Sequence, residues 1–180
     1  MMKQGITKLI ALCIFTLATS TASVADVARL APDASALCPD DGSGGSHVVF
    51  LFDLSELRTG EGRVIDEAFL DWVVPNLSSD EEILFAVYRM ESSWNAVQVA
   101  TGLELPLWDS DEVSGWSIEP LDFQRHGGLV RLNLRPLVED WLDGTQANHG
   151  VFVEFSDSPS VELASELNAA RLIIRYGFVQ

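Results

Sequence analysis

Tryptophan is the residue type in this chain best suited to holding a ligand. Three of the five tryptophans, Trp94, Trp108 and Trp116, fall in or beside one long stretch between apolar segments. An indole plane stacks on the apolar face of a pyranose ring, and a few polar groups beside it orient the sugar hydroxyls. Asn95, Asp109 and Asp111 are the polar neighbours in sequence, so the expected ligand-binding residues are Trp94, Trp108 and Trp116. Packing is the competing role for each. Trp108 is the hardest to assign to a core, because it follows Pro106-Leu107 and precedes Asp109-Ser110-Asp111-Glu112. That acidic run suggests a second chemistry, since Ca²⁺ is a hard cation that prefers carboxylate and carbonyl oxygens. A structural calcium would take Asp109 and Asp111 first, with Asp40-Asp41 as the other acid-rich loop. Neither loop has the glycine and distal glutamate of an EF-hand.

Other chemistries find less support. No G-x-S-x-G turn occurs, and His47, His126 and His149 are scattered among strand starts and loops. No His/Cys group has the spacing of a transition-metal site. With 27 acids in the chain, a pair at glycosidase separation would arise without selection for it, so acid abundance identifies no catalytic pair. No catalytic residue is assigned.

The amino terminus reads as a secretory signal peptide over residues 1–25. Lys3 and Lys8 precede an apolar run from Leu9 to Leu17, and Ser23-Val24-Ala25 is a small-residue cleavage site. The run is much shorter than the roughly 20 apolar residues of a membrane span. Leu12 before Cys13 is not the small residue of a lipoprotein site. Cleavage removes two lysines and no acid, moving the formal charge from −16 to −18. Such a charge excludes nucleic acid and anionic membrane as natural partners, because both reward Lys and Arg. It favours a neutral glycan, or an anionic one bridged by Ca²⁺. Cys38 would then be the sole cysteine, so no intramolecular disulfide forms and packing must hold the fold. A partly buried thiol is its bland reading and an intermolecular disulfide the sharper one. Asn76-Leu77-Ser78 is a glycosylation sequon with meaning only in a host that reads it.

The elements that must position these residues are strands. Residues 26–46, with Pro32, Pro39 and Gly42-Ser43-Gly44-Gly45-Ser46, read as an irregular lead-in with one possible edge strand. From 47 to 180 the pattern is β. Val64, Ala68, Leu70, Trp72 and Val74 recur on one face, Glu67 and Asp71 on the other with Phe69 and Val73. Segments 83–90, 129–134, 150–155 and 170–178 follow the same style. In the last, Leu172, Ile174, Tyr176 and Phe178 face one way, Arg171 and Arg175 the other. One helical turn interrupts the strands: Pro136 starts it, Leu137, Val138, Trp141 and Leu142 share a face, and Gly144 stops it. A second short helix is suggested around Val161–Leu167. The expectation is an all-β, antiparallel sandwich with one short capping helix, its core holding Trp72 and Trp141.

Three landmarks carry a family resemblance. Phe52-Asp53-Leu54-Ser55, then Leu137, Val138 and Trp141 before Gly150-Val151-Phe152-Val153, and finally Leu172, Ile174 and Tyr176 resemble the DNRLRE-domain family and, more distantly, the propeptide of transforming-growth-factor-β proteins. Ala68, Leu70 and Trp72, and Val87-Tyr88-Arg89 with Trp94, fit its intermediate strands. The chain departs from the family at Asn133-Leu134-Arg135, where members show Asp-Val-Thr, and at Val97-Gln98-Val99-Ala100, which replaces a tryptophan motif. The resemblance implies a secreted jelly-roll β-sandwich and a carbohydrate-binding-module-like role. That is a non-catalytic exported protein, periplasmic or extracellular, binding a polysaccharide or a cell-surface component. The competing expectation is an assembly protein with a protein partner, contacting it through apolar outer residues such as Phe69, Val73 and Ile173. A hydrolase with an unrecognised site is the third.

Overall fold

The alternation that begins at Val64 does form a strand, but its phase is broken. In the computed structural model, which describes residues 26–38, 46–57, 62–73, 83–103, 107–118, 128–155 and 167–178, strand β4 spans Arg63–Val73. Its register against the last strand shifts between Ile65 and Glu67. A bulge places two residues opposite one and flips the side chains before it. Ile65 is therefore buried at 4% exposure and Val64 faces outward at 41%, the reverse of the simple alternation. Beyond the bulge Ala68, Leu70 and Trp72 face inward as expected. Val74, the last residue expected on that face, lies outside the described residues.

The other strands are β1 (Asp26–Leu30), β2 (Ala34–Cys38), β3 (Ser46–Leu51), β5 (Ile83–Met90), β6 (Trp108–Ile118), β7 (Leu129–Asn133), β8 (Val151–Phe155) and β9 (Arg171–Phe178). They make two antiparallel sheets, one ordered β1-β9-β4-β7 and the other β2-β3-β8-β5-β6. Leaving β2 aside, the chain fills the two sheets in jelly-roll order, crossing between them at every step except β5 to β6. The fold is an all-β sandwich of that type with β2 added at one edge.

Between the sheets lies one apolar core. Phe50 meets the edge of Trp72 with ring centroids 5.5 Å apart, Trp72 meets Phe155 at 6.1 Å, and Phe155 stacks on Phe85 at 5.9 Å. The predicted capping helix, α2 (Arg135–Asp143), has Pro136 in its first turn and buries Leu137, Val138 and Trp141. Gly144 ends it at φ 71°, and Thr145 N–H then bonds Asp140 C=O at 3.0 Å.

Three expectations need correction. The lead-in contributes two strands, β1 against β9 and β2 against β3, one to each sheet. Asp33 N–H closes the crossing by bonding Leu51 C=O at 2.8 Å. A second helix, α1 (Ala96–Ala100), starts where Asn95 Oδ1 caps the Val97 and Gln98 amides at 3.0 and 3.2 Å. The stretch beyond it is strand β6 rather than loop. Its serines and acids hide the alternation because it is an edge strand, paired only with β5. Of the helix suggested around Val161–Leu167, residues 161–166 lie outside the described residues; a 3₁₀ turn covers Leu167–Ala169. Among the described residues no helix is long and apolar enough to cross a membrane. Residues 1–25, where a signal peptide is expected, also lie outside them.

Candidate ligand-binding face

Strand β8 carries a large apolar side chain on its outer face as well as three on its inner one, and that side chain requires cover. Val151, Val153 and Phe155 point into the sandwich, while Phe152 points outward and is still only 2% exposed. Its cover comes from two sides. Helix α1 places Val99 against Ala36, Cys38, Val49 and Met90, a second apolar cluster outside the sheet. Trp108, on the edge strand, lies flat on Phe152 with ring centroids 4.2 Å apart and planes 5° from parallel. His47 stacks on the same phenyl ring at 4.9 Å, and Tyr88 is tilted against it at 6.1 Å.

Two polar devices hold Trp108 in that pose. Before it, Leu107 C=O accepts from Glu91 N–H at 2.9 Å. After it, Asp109 accepts from the Asp111 amide at 3.1 Å and forms an ion pair with Arg89. The Asp111 amide first, and Arg89 after it, hold the Asp109 carboxyl below the usual range. The indole therefore has one face against Phe152 and remains 38% exposed, and Leu107 next to it is exposed at 63%. Beside this platform Tyr88 Oη donates to Glu154 Oε2 at 3.2 Å, and His47 Nε2 stands 3.6 Å from Glu154 Oε1. An imidazole and a phenol thus contact the phenyl ring on which a partly exposed indole lies, and a carboxylate joins the two. That combination can stack on one apolar ring face and exchange hydrogen bonds with hydroxyls around it.

Of the three expected tryptophans, Trp94 and Trp108 border the same apolar cluster and Trp116 stands apart along β6. Trp94 is a strut: its Nε1 donates to His149 C=O at 2.8 Å, and its ring packs against the second cluster. Trp116 pairs with Phe85, eight residues along β6 from Trp108 and so about 25 Å away at strand rise; its side chain lies outside the described set. The Asp109 carboxylate is engaged by the Asp111 amide and by Arg89, whereas Asp111 contributes its backbone N–H to that contact. No group of three acids, histidines or cysteines able to hold a metal occurs among the described residues. Asp40 and Asp41 lie outside them, as does His126.

Sequence reasoning missed Phe152, His47, Tyr88 and Glu154. One signal was available. Gly150-Val151-Phe152-Val153 has no polar alternate, and an antiparallel strand apolar on both faces announces something packed outside the sheet. Which residues do so is set by cross-strand register, pairing Val49 with Phe152 and Phe152 with Tyr88. No protein-family model matches the chain, and no curated protein matches it.

Proposed function

We propose that the protein is a non-catalytic, exported carbohydrate-binding module that engages an uncharged glycan, free or on a cell surface, through Trp108. The observation that carries this reading is the partly exposed indole held flat on Phe152, the ring that His47 and Tyr88 also contact, with Glu154 joining those two. The negative charge of −16 supports a neutral ligand over a polyanion at this face. The resemblance to DNRLRE modules adds the exported setting. An open platform covers one side of a sugar ring rather than enclosing it, so a Kd on the order of 0.1 mM is expected, about −5.5 kcal/mol.

The test is thermal unfolding of the purified protein with a panel of neutral polysaccharides, each with Ca²⁺ and with chelator. A ligand specific for the native state adds about 2.7 kcal/mol at a hundredfold excess over Kd. A shift lost in Trp108→Ala but kept in Trp94→Phe supports the platform. A shift that survives Trp108→Ala in a folded protein, or none with any glycan, refutes it.

A further inference from the structure

The four-stranded sheet has an outer face whose composition opposes that of the chain. Its outward ladder positions are Val27 and Arg29 on β1, Arg171, Ile173 and Arg175 on β9, Glu67, Phe69, Asp71 and Val73 on β4, and Arg131 and Asn133 on β7. Register fixes their arrangement. Asp71 sits between Arg171 and Arg131, and Phe69 and Ile173 are direct partners with Arg29 opposite Ile173. Four of the eleven Lys and Arg residues of the chain are here, against two of its 27 acids, or three with the bulge residue Asp66. The face is net positive on a protein of charge −16.

Its cations are only partly neutralised. Arg131 makes a two-pronged pair with Asp71 at 2.7 and 2.6 Å and lies 5.4 Å over the Phe69 ring; Arg175 is 3.3 Å from Glu67. Arg171 donates to the Asn168 and Ala170 carbonyls, and Arg29 has no ion-pair partner among the described residues. An apolar centre rimmed by arginines is the composition of a protein contact rather than of a solvated sheet.

We propose that this face docks a second copy of the same chain, against its acidic surface. The complement such a face requires is a negatively charged protein surface, and the remainder of this molecule is one. Because the two patches differ, the contact is head-to-tail and adds further copies rather than closing as a symmetric pair. The face is on the order of 20 by 20 Å at strand spacing, about half the roughly 800 Å² per partner of a standard interface. Association is therefore weak and visible only in concentrated solution, because two copies of charge −16 also repel one another.

Sedimentation equilibrium of the purified protein from about 10 µM to 1 mM in about 0.15 M NaCl, which screens the repulsion between copies beyond about 8 Å, tests this, since weak interfaces dissociate in that concentration range. The comparison variants are Arg29→Glu and the double variant Gln98→Glu with Gln146→Glu, which adds the same charge away from the face. The expected result is an average mass that climbs with concentration without a dimer plateau. The association constant should fall at least about tenfold in Arg29→Glu, while the double variant behaves as the parent. A protein monomeric through the whole range overturns the proposal, as does association indifferent to Arg29→Glu. Retention of an acidic polysaccharide that Arg29→Glu abolishes, with no self-association, also overturns it and identifies a polyanion as the occupant.

Discussion

Gly150 is the residue at which one added methyl should damage this protein most, and the damage can be worked out. It precedes β8 at φ 96°, and a Cβ there would lie 2.2 Å from the Phe50 carbonyl oxygen and 3.1 Å from its carbon. The obstructing atoms are backbone on β3, the strand paired with β8 through Phe50 and Val151, so no rotamer change relieves the contact. The strands must part by about 1 Å to restore van der Waals distance, at the point where Gly150 N–H bonds Asn148 Oδ1 at 3.1 Å and its carbonyl accepts from Met90 N–H at 3.2 Å. Left-handed backbone costs a non-glycine residue about 1–2 kcal/mol, and weakening two hydrogen bonds adds about 1 kcal/mol each. Gly150→Ala should lose about 3–4 kcal/mol, a large share of the 5–15 kcal/mol typical of a domain. Gly144→Ala is the control: it has φ 71° with nothing within 4 Å of the added carbon, so only the backbone strain of about 1–2 kcal/mol applies. Urea unfolding followed by tryptophan fluorescence measures both, with equal slopes required for comparison. If the two variants fall within about 0.5 kcal/mol of each other, the close approach of Gly150 to β3 is not a feature of the molecule, and the argument fails.

Other outcomes follow from the same geometry. Burial pushes the Cys38 thiol up to about 11 from an ordinary 9.0, so the folded state keeps a neutral thiol where the unfolded chain ionises. Its contribution to stability is whole below about pH 9 and declines by roughly 2–3 kcal/mol as pH rises to about 11; equal pH slopes for the parent and Cys38→Ala between pH 8 and 10.5 would contradict this. Buried at 4% exposure, the same thiol should resist native labelling and intermolecular disulfide formation, checked by thiol reagent with and without urea. Trp94→Phe removes the bond to His149 C=O and should cost about 1–2 kcal/mol and, on the proposed reading, leave any glycan-induced shift intact. A loss of binding in that variant would move the site from Trp108 towards Trp94. At a charge of −16, raising NaCl from about 10 to 150 mM shortens the Debye length from about 30 to 8 Å and should raise Tm. A falling Tm in dilute solution would mean that the ion pairs of the four-stranded sheet outweigh the self-repulsion of the acids.

Much of this molecule was decided locally. The inward row Leu172, Ile174 and Tyr176, the helix bounded by Pro136 and Gly144, and the burial of Trp72 and Trp141 are written in periodicity and backbone preference. Those depend on neighbours a few residues away. The rest waited for the partner strands. Val64 and Ile65 exchanged faces because β9 admits a bulge opposite Tyr176 and Arg175. The polar run after Trp108 became a strand because β5 offered a free edge. Phe152, Trp108, His47 and Glu154 are separated by up to 107 positions in the chain and meet only once β3, β8, β5 and β6 are in register. Sequence by itself therefore determined that a sandwich forms and most of the residues that line its interior. The tertiary structure decided which outer side chains gather into a platform, because cross-strand neighbours are chosen by hydrogen-bond register between segments far apart in the chain.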